Sequence, residues 1–162
     1  MNIRKTISSV ILGGVLAATF IGSSFAYTQD DINNMVELAK TKEGCCYIWG
    51  NTGQNDTWDC SGFTQWLYKS IGIQIPRCSY EQDDCGIEVS VDQIKKGDLI
   101  TFITSNRNNG DVTHVGMYIG NGQFIHARSS KYGICINDYN DYWKSKTHSI
   151  RRILVNESEV AK

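Results

Sequence analysis

One hairpin in the second half of the chain restricts the possible folds more than any other segment. Two runs with strand-like composition, 112–119 and 123–128, are joined by the turn sequence Gly120-Asn121-Gly122. An Asn-Gly step between such runs is a strong sequence signal for a β-hairpin. The register of this hairpin matters most, because a shift of one residue moves every side chain of a strand to the other face of the sheet.

Two of the three histidines of the chain lie in this hairpin, and its register decides whether they can meet. A two-residue loop at Asn121-Gly122 would set Met117 opposite His126 and direct His114 and His126 to opposite faces. A three-residue loop, with Gly122 in the left-handed region, would set Gly116 opposite His126 instead. The second register separates one face with His114, Gly116, Tyr118, Phe124 and His126 from an aliphatic face with Val115, Met117, Ile119, Ile125 and Ala127. We therefore predict the second register, in which Gly116 leaves room for a histidine ring.

Helical patterns precede these strands. Apolar residues recur at helical spacing over 30–42, where Asp30 or Asp31 can cap the start and Gly44 follows the end. The next segment, 46–58, is rich in Gly, Asn and Thr, and this composition favours a loop.

A second helix is predicted to begin after Asp59, which is suited to cap it, and to close at Gly72. Its apolar face comprises Phe63, Trp66, Leu67 and Ile71. Cys60 falls in the first turn, where unpaired backbone amides point at its sulfur. A cysteine in this position could be half of a disulfide, a metal ligand, a core residue or a nucleophile.

The order of these elements indicates the fold class. Further strands are predicted at 99–102, 134–136 and 150–155. Helices followed by antiparallel strands are typical of an α+β domain. We predict such a domain, in which the helix that begins with Cys60 packs on the sheet.

A thiol facing two histidines can form a nucleophilic site. Helix-start amides and an imidazolium would both stabilise the Cys60 thiolate and lower its pKa from about 8.5 toward neutrality. One histidine could take the thiol proton while the second fixes the tautomer of the first. The alternative is that His114 and His126 are unrelated sheet residues, each hydrogen-bonded to backbone.

The six cysteines stand at positions 45, 46, 60, 78, 85 and 135. Their spacing contains no Cys-x-x-Cys pair and no nearby histidine pair, so we predict no metal, and no other cofactor. If Cys60 stays free, at least one of the other five is also unpaired or is bonded between chains. Cys78 and Cys85 flank a loop expected near the site, and we hypothesise that they form a disulfide.

Residues 1–26 have the three parts of a secretory signal peptide: the basic residues Arg4 and Lys5, an apolar run, and small residues before a cleavage site. We predict cleavage near Ala26, although an uncleaved anchor is an alternative. The mature chain, 27–162, then has the length of a single domain. This predicts export across the cytoplasmic membrane, without stable membrane association after cleavage.

The overall charge argues against some partners. The 16 basic and 17 acidic residues nearly balance, so the chain lacks the basic excess typical of proteins that bind nucleic acid or an anionic membrane.

Five motifs, in this order, resemble those of the NlpC-type cell-wall cysteine peptidases. They are Tyr47-Ile48-Trp49-Gly50 with Asp59-Cys60-Ser61-Gly62-Phe63, then Ile75-Pro76-Arg77-Cys78-Ser79-Tyr80-Glu81-Gln82, Gly97-Asp98-Leu99-Ile100, His114-Val115-Gly116-Met117-Tyr118-Ile119-Gly120 and Phe124-Ile125-His126-Ala127. The resemblance extends from about Cys46 to Arg152. It implies a papain-like α+β fold and hydrolysis of peptidoglycan stem peptides, typically between γ-D-glutamate and the diamino acid that follows it.

The resemblance also implies roles for single residues. Cys60 would be the nucleophile, His114 the general base and acid, and His126 the residue that orients His114. Tyr47 would help the Cys60 backbone amide to hold the oxyanion. The residues implied to bind substrate are Asp59, Ser61 and Ser79, at positions that contact the L-Ala amino end and D-Glu in related enzymes, and Arg77.

Two departures from the family pattern and two rival functions remain open. Asn51 stands where the family usually has a second glycine, and Cys45 and Cys46 stand where it often has a proline. One rival is an amidase or a lipid acyltransferase on the same fold, although the polar segment 105–111 argues against a lipid substrate. The other is a catalytically silent wall-binding protein, against which the intact Cys60, His114 and His126 argue.

Overall fold

The computed structural model describes residues 27–105 and 110–155. The predicted signal peptide, 1–26, lies outside the described residues. Within the described part, no helix has both the length and the apolar character needed to span a membrane.

The described residues form four α-helices, two short 3₁₀ helices and a six-stranded antiparallel sheet, which confirms the predicted α+β class. The helices are α1 (Gln29–Lys40), α2 (Cys60–Ser70), α3 (Ser79–Gln82) and α4 (Asp141–Lys144). The strands are β1 (Ile87–Glu88), β2 (Leu99–Phe102), β3 (His114–Gly120), β4 (Gln123–Ser129), β5 (Gly133–Asp138) and β6 (Thr147–Arg152). Their order in the sheet is β1-β6-β2-β3-β4-β5, and every neighbouring pair is antiparallel.

The β3–β4 hairpin has the predicted register. Met117 pairs with Ile125 and Tyr118 with Phe124, so Gly116 lies opposite His126. The turn differs from the predicted three-residue loop, because it is a two-residue turn in which Asn121 and Gly122 both have positive φ. The extra residue is instead placed in a bulge between Tyr118 and Gly120. The bulge shifts the pairing by one residue and so reproduces the register that a longer loop would give.

The two faces of the hairpin are separated as predicted. The aliphatic face shares one core with α1 and α2, in which Val115 and Met117 pack with Met35, Phe63 and Leu67. Helix α2 packs on β3 and β4, as expected for the helix that begins with Cys60. The opposite face carries a smaller core of Ile100, Phe102, Phe124, Tyr139, Trp143 and Ile150.

The start of α1 corrects one prediction. Thr28, and not Asp30 or Asp31, is the cap residue, because its backbone is extended and its hydroxyl accepts a hydrogen bond from the Asp31 amide at 3.1 Å. The Asp31 carboxylate accepts in return from the Thr28 amide at 2.7 Å. The result is a capping box, in which two side chains together satisfy two backbone donors, the amides of Thr28 and Asp31.

Short elements were the main omission of the sequence prediction. Only strands were predicted after the second helix, but α3 forms before them, and α4 lies between β5 and β6. Elements of two to four residues are too short to show a helical or strand period. Strand β6 also begins and ends three residues before the predicted 150–155, because its position is set by pairing with β2, where Ile150 faces Ile100.

The cysteines all lie in the described residues, and all six are free thiols. The hypothesised disulfide between Cys78 and Cys85 is therefore wrong. The Cys85 thiol instead donates to the Glu81 carbonyl at 3.5 Å, within the turn that follows α3. Among the described residues, no three His, Cys, Asp or Glu side chains are grouped as metal ligands would be.

Candidate active site

Cys60 is the first residue of α2, at the end of the sheet where β3 begins. Asp59 caps the helix as predicted, since its Oδ1 accepts from the Gly62 amide at 2.8 Å. The Cys60 side chain is buried, and its sulfur accepts hydrogen bonds from backbone amides that include those of Ser61 and Val115. Val115 directly follows His114, so the thiol lies beside the start of the strand that carries the first histidine.

A close backbone contact holds this helix start in place. A Cβ at Gly62 would lie 2.2 Å from the Asn51 carbonyl oxygen, so a side chain cannot be added without moving the loop. The same carbonyl accepts from the Asp59 amide at 3.1 Å. Because Asn51 makes this contact through its backbone, the replacement of the usual family glycine leaves the contact intact.

His114 and His126 meet on one face of the hairpin. His114 Nε2 lies 2.7 Å from His126 Nδ1, and both side chains are buried. A Cβ at Gly116 would lie 3.0 Å from the His126 Cβ, so a glycine is needed between the rings. Trp143 of α4 packs edge-on against His126, with ring centroids 5.0 Å apart. The structure therefore pairs the two imidazoles, and the alternative of unrelated histidines is wrong.

A third residue, Asn137, continues this hydrogen-bonded line. Its Oδ1 lies 3.0 Å from His126 Nε2. Sequence reasoning missed Asn137, because the strand predicted at 134–136 stopped one residue before it. The signal that could have found it is the alternation of side chains along a strand. Cys135 pairs with His126, so Asn137, two residues later, lies on the same face of the sheet as His126.

Burial, and after it the negative charge of Asp59, raise the pKa of the Cys60 thiol to about 11. The helix-start amides act in the predicted direction and lower this pKa, but they do not offset the cost of desolvating a thiolate. The prediction of a thiolate pKa near neutrality is therefore wrong. At neutral pH the free protein holds a neutral thiol.

Burial also favours the neutral form of the two histidines, and for them this means a lower pKa. It lowers the pKa of His114 well below 6.5, with further lowering by His126 and by the positive charge of Arg128. Burial also lowers the pKa of His126 to about 4, although its hydrogen bond to Asn137 opposes this shift. Both rings are therefore neutral at pH 7.

Tyr47 lies near Cys60, close enough to interact with it electrostatically. Burial, and after it the negative charges of a Cys60 thiolate and of Asp59, raise the pKa of Tyr47 to about 12. The phenol is therefore protonated at neutral pH and can donate a hydrogen bond close to Cys60.

The predicted substrate-binding residues line one cleft with Cys60. The cleft has a volume of about 630 Å³, and its walls include Trp49, Asp59, Cys60, Ser61, Arg77, Ser79 and Tyr80. Trp49, at 82 % exposure, stands on its rim. Arg77 Nη1 donates to Asp59 Oδ1 and to Ser61 Oγ, each at 2.9 Å, and Nη2 donates to Asp59 Oδ2. This ion pair ties the wall of the cleft to the residue that caps α2.

We expect Arg77→Leu to lower the free energy of unfolding by about 2 kcal/mol. Removing one partner of a buried ion pair leaves the other charge uncompensated, but the partial exposure of Arg77 reduces the cost below that of a fully buried pair. Chemical denaturation at pH 7 measures this change. Lys69→Leu, on the exposed side of α2, is the matched control and should change stability by less than about 0.5 kcal/mol. Equal stability of Arg77→Leu and the parent would show that the pair contributes little to folding.

Comparison with known proteins agrees with this geometry. The model of the NlpC/P60 family matches residues 44–152. The chain is 35 % identical to murein DD-endopeptidase MepS/murein LD-carboxypeptidase of Escherichia coli K12 over 144 residues, which cover 82 % of this chain and 73 % of that protein. It is 41 % identical to γ-D-glutamyl-L-lysine dipeptidyl-peptidase of Bacillus cereus over 109 residues, 64 % of this chain and 32 % of that protein.

A solved structure gives the same result. NlpC2 of Trichomonas vaginalis superposes with a TM-score of 0.72 at 40 % identity, over 80 % of this chain and 49 % of that one. The chain thus spans about half the length of this protein and about a third of the Bacillus cereus relative. The predicted papain-like fold is confirmed by these matches. The chain belongs to the NlpC/P60 family, and the names of its Escherichia coli and Bacillus cereus relatives are those of peptidases.

Proposed function

We propose that this protein is a cysteine endopeptidase that hydrolyses peptidoglycan stem peptides. The observation that carries the proposal is the buried thiol of Cys60 at a helix start, beside the strand whose first residue, His114, is hydrogen-bonded to His126. A nucleophile, a neutral base and an orienting group are the parts that acyl transfer needs. The names of the relatives, a murein endopeptidase and a γ-D-glutamyl peptidase, support the class of substrate.

In the proposed reaction, His114 acts as a general base toward a neutral thiol. His114 takes the Cys60 proton as the sulfur forms a bond to the substrate carbonyl carbon, which becomes tetrahedral. His114 then gives the proton to the leaving amine as the C–N bond breaks, and an acyl-enzyme remains. Water then attacks the thioester carbon as His114 takes its proton, the C–S bond breaks to release the acid, and His114 returns the proton to the Cys60 sulfur.

The oxyanion of the tetrahedral intermediate needs hydrogen-bond donors. The backbone amide of Cys60 and the protonated phenol of Tyr47 are the donors that we assign to it. A donor aimed at this oxygen contributes about 3 kcal/mol to the stability of the transition state. The raised pKa of Tyr47 supports this role, because the phenol keeps its proton throughout the neutral range.

The bond that we favour lies between γ-D-glutamate and the following diamino acid. The name of the Bacillus cereus relative supports this choice. The name of the Escherichia coli relative, a DD-endopeptidase, makes the cross-link between D-alanine and the diamino acid the second candidate. In either case Asp59, Ser61, Arg77 and Ser79 are proposed to contact the stem peptide, because they line the cleft beside Cys60.

Export follows from the proposed substrate. Peptidoglycan lies outside the cytoplasmic membrane, so the enzyme must cross that membrane to reach it. We therefore propose that residues 1–26 are removed as a signal peptide and that 27–162 acts as one domain, secreted or associated with the wall.

Digestion of defined muropeptides tests both the activity and the bond. We expect purified 27–162 to convert a disaccharide tetrapeptide to a disaccharide dipeptide, with release of a peptide whose new amino group belongs to the diamino acid. A cross-linked muropeptide dimer is digested in parallel, and mass spectrometry distinguishes the disaccharide dipeptide from the separated monomers that cleavage of the cross-link at D-alanine would give. The peptidase proposal is wrong if neither product forms and the protein acts instead as an amidase or a lipid acyltransferase.

A further inference from the structure

The two histidines do not end the hydrogen-bonded line that begins at His114. His114 Nε2 is 2.7 Å from His126 Nδ1, and His126 Nε2 is 3.0 Å from Asn137 Oδ1. Three of the four ring nitrogens are thus engaged in a line of hydrogen bonds that ends at the Asn137 amide. The fourth is His114 Nδ1.

The chemistry of each atom determines where the protons lie. The amide oxygen of Asn137 can only accept, so His126 must carry its proton on Nε2. A neutral imidazole has one N–H, so His126 Nδ1 is an acceptor, and His114 Nε2 must donate to it. His114 Nδ1 is then left with a lone pair. This is the nitrogen through which His114 can take a proton from a thiol.

A second donor orients the amide of Asn137. The Cys135 thiol, on the residue that pairs with His126, lies 3.7 Å from Asn137 Oδ1. With the oxygen turned toward both the ring and the thiol, it accepts from each. The opposite orientation would set an NH₂ group against the Cys135 thiol and force His126 to accept on Nε2, which would reverse every proton in the line.

We propose that Asn137 is a positioning residue of the active site, which sets the tautomers of His126 and His114 so that His114 Nδ1 is unprotonated. The Asn137 amide contacts His126 Nε2, and in this role it acts through His126 without touching substrate. This inference rests on the proposed cysteine-peptidase function, since it assigns a task that only a proton-accepting His114 requires.

The neutrality of this amide fits its surroundings. Arg128 lies near both rings and disfavours a positive charge on either. Its guanidinium is held over the Tyr132 ring, 4.1 Å from the centroid. A carboxylate at position 137 would favour an imidazolium in the resting protein, whereas an amide fixes the tautomer without adding charge.

Three variants test the role: Asn137→Leu, Asn137→Asp, and Asp138→Asn as a control on the same strand. Asn137→Leu keeps the size of the side chain and removes the acceptor, so we expect kcat to fall about 10-fold with KM nearly unchanged. Asn137→Asp keeps the acceptor and should retain most of kcat at pH 7.5. Its acid limb should move to higher pH, because the carboxylate stabilises the imidazolium of His126. Asp138→Asn should behave as the parent.

Two readouts do not depend on the peptide substrate. Nitrogen-15 shifts of the imidazoles should show Nε2–H tautomers for both His114 and His126 in the parent and a mixture in Asn137→Leu. The rate of Cys60 alkylation by iodoacetamide at pH 7.5 should fall with kcat in the same variant. These readouts separate a failure of this inference from a failure of the peptidase proposal, which would appear as absent cleavage by the parent.

Two results would overturn the inference. One is an Asn137→Leu variant with the parent's kcat, alkylation rate and imidazole tautomers. The other is an Asn137→Asp variant that is folded, as judged by its thermal unfolding, yet as impaired as Asn137→Leu. The second result would mean that the amide nitrogen, and not its oxygen, faces His126.

Discussion

Cys60→Ala is expected to lower the rate of stem-peptide cleavage by more than about 10³-fold, to the background of the assay. Without the sulfur no acyl-enzyme can form, and the remaining groups can only position water. The fold should survive, because the side chain is small and the α2 cap at Asp59 does not depend on it. Release of fragments from purified peptidoglycan, followed by mass spectrometry, measures the loss, and circular dichroism checks the fold.

Cys46→Ala is the matched control for this experiment. Cys46 is a free thiol that lies at the surface, so its removal should leave cleavage within about twofold of the parent. Cleavage by Cys60→Ala at a rate near that of Cys46→Ala would remove Cys60 from the role of nucleophile. Inhibition of the parent by iodoacetamide, with Cys60 as the modified residue, would give independent support.

His114→Gln is expected to lower kcat/KM by about 10²- to 10⁴-fold at pH 7, the range typical for loss of a general base. The pH profile should change as well. In the parent, protonation of His114 removes the base, and its lowered pKa places the acid limb below pH 6.5. Activity should therefore be flat from about pH 6.5 upward. In His114→Gln only the thiolate can attack, so the rate should rise about tenfold per pH unit toward the thiol pKa of about 11.

The pH dependence of Cys60 alkylation in the parent decides between two resting states. A neutral thiol beside a neutral imidazole gives slow alkylation at pH 6 and a rate that rises with pH. A preformed thiolate–imidazolium pair would instead give rapid alkylation of Cys60 at pH 6 in the parent, and His114→Gln would lose that rapid reaction. The latter pattern would show that the ionised pair exists at rest and that burial is not the dominant influence on Cys60.

Much of the site could be predicted because the relevant patterns are local. Alternation along two strands placed His114 and His126 on one face, since the period of a strand is two residues whatever the rest of the fold does. Helical spacing after Asp59 placed Cys60 at a helix start, because a cap and its helix lie within a few residues of one another. Family motifs then connected these two local features.

Other parts could not be predicted, because they depend on residues distant in sequence. Asn137 reaches His126 only through the pairing of β4 with β5, and the segment around it carries too weak a period to define its own strand end. Arg77 meets Asp59 only when the segment before α3 folds against α2. The bulge between Tyr118 and Gly120 is likewise a property of the paired strands, because a bulge exists only relative to a partner strand.

The sequence by itself determined which side chains could act together: a cysteine at a helix start and two histidines on one face of a hairpin. Only the tertiary structure decided their protonation states. A helix start stabilises a thiolate in a local view, but burial under the sheet and beside Asp59 raises the Cys60 pKa to about 11, and burial keeps both histidines neutral. Desolvation depends on everything packed around a group, and no local pattern of residues records it.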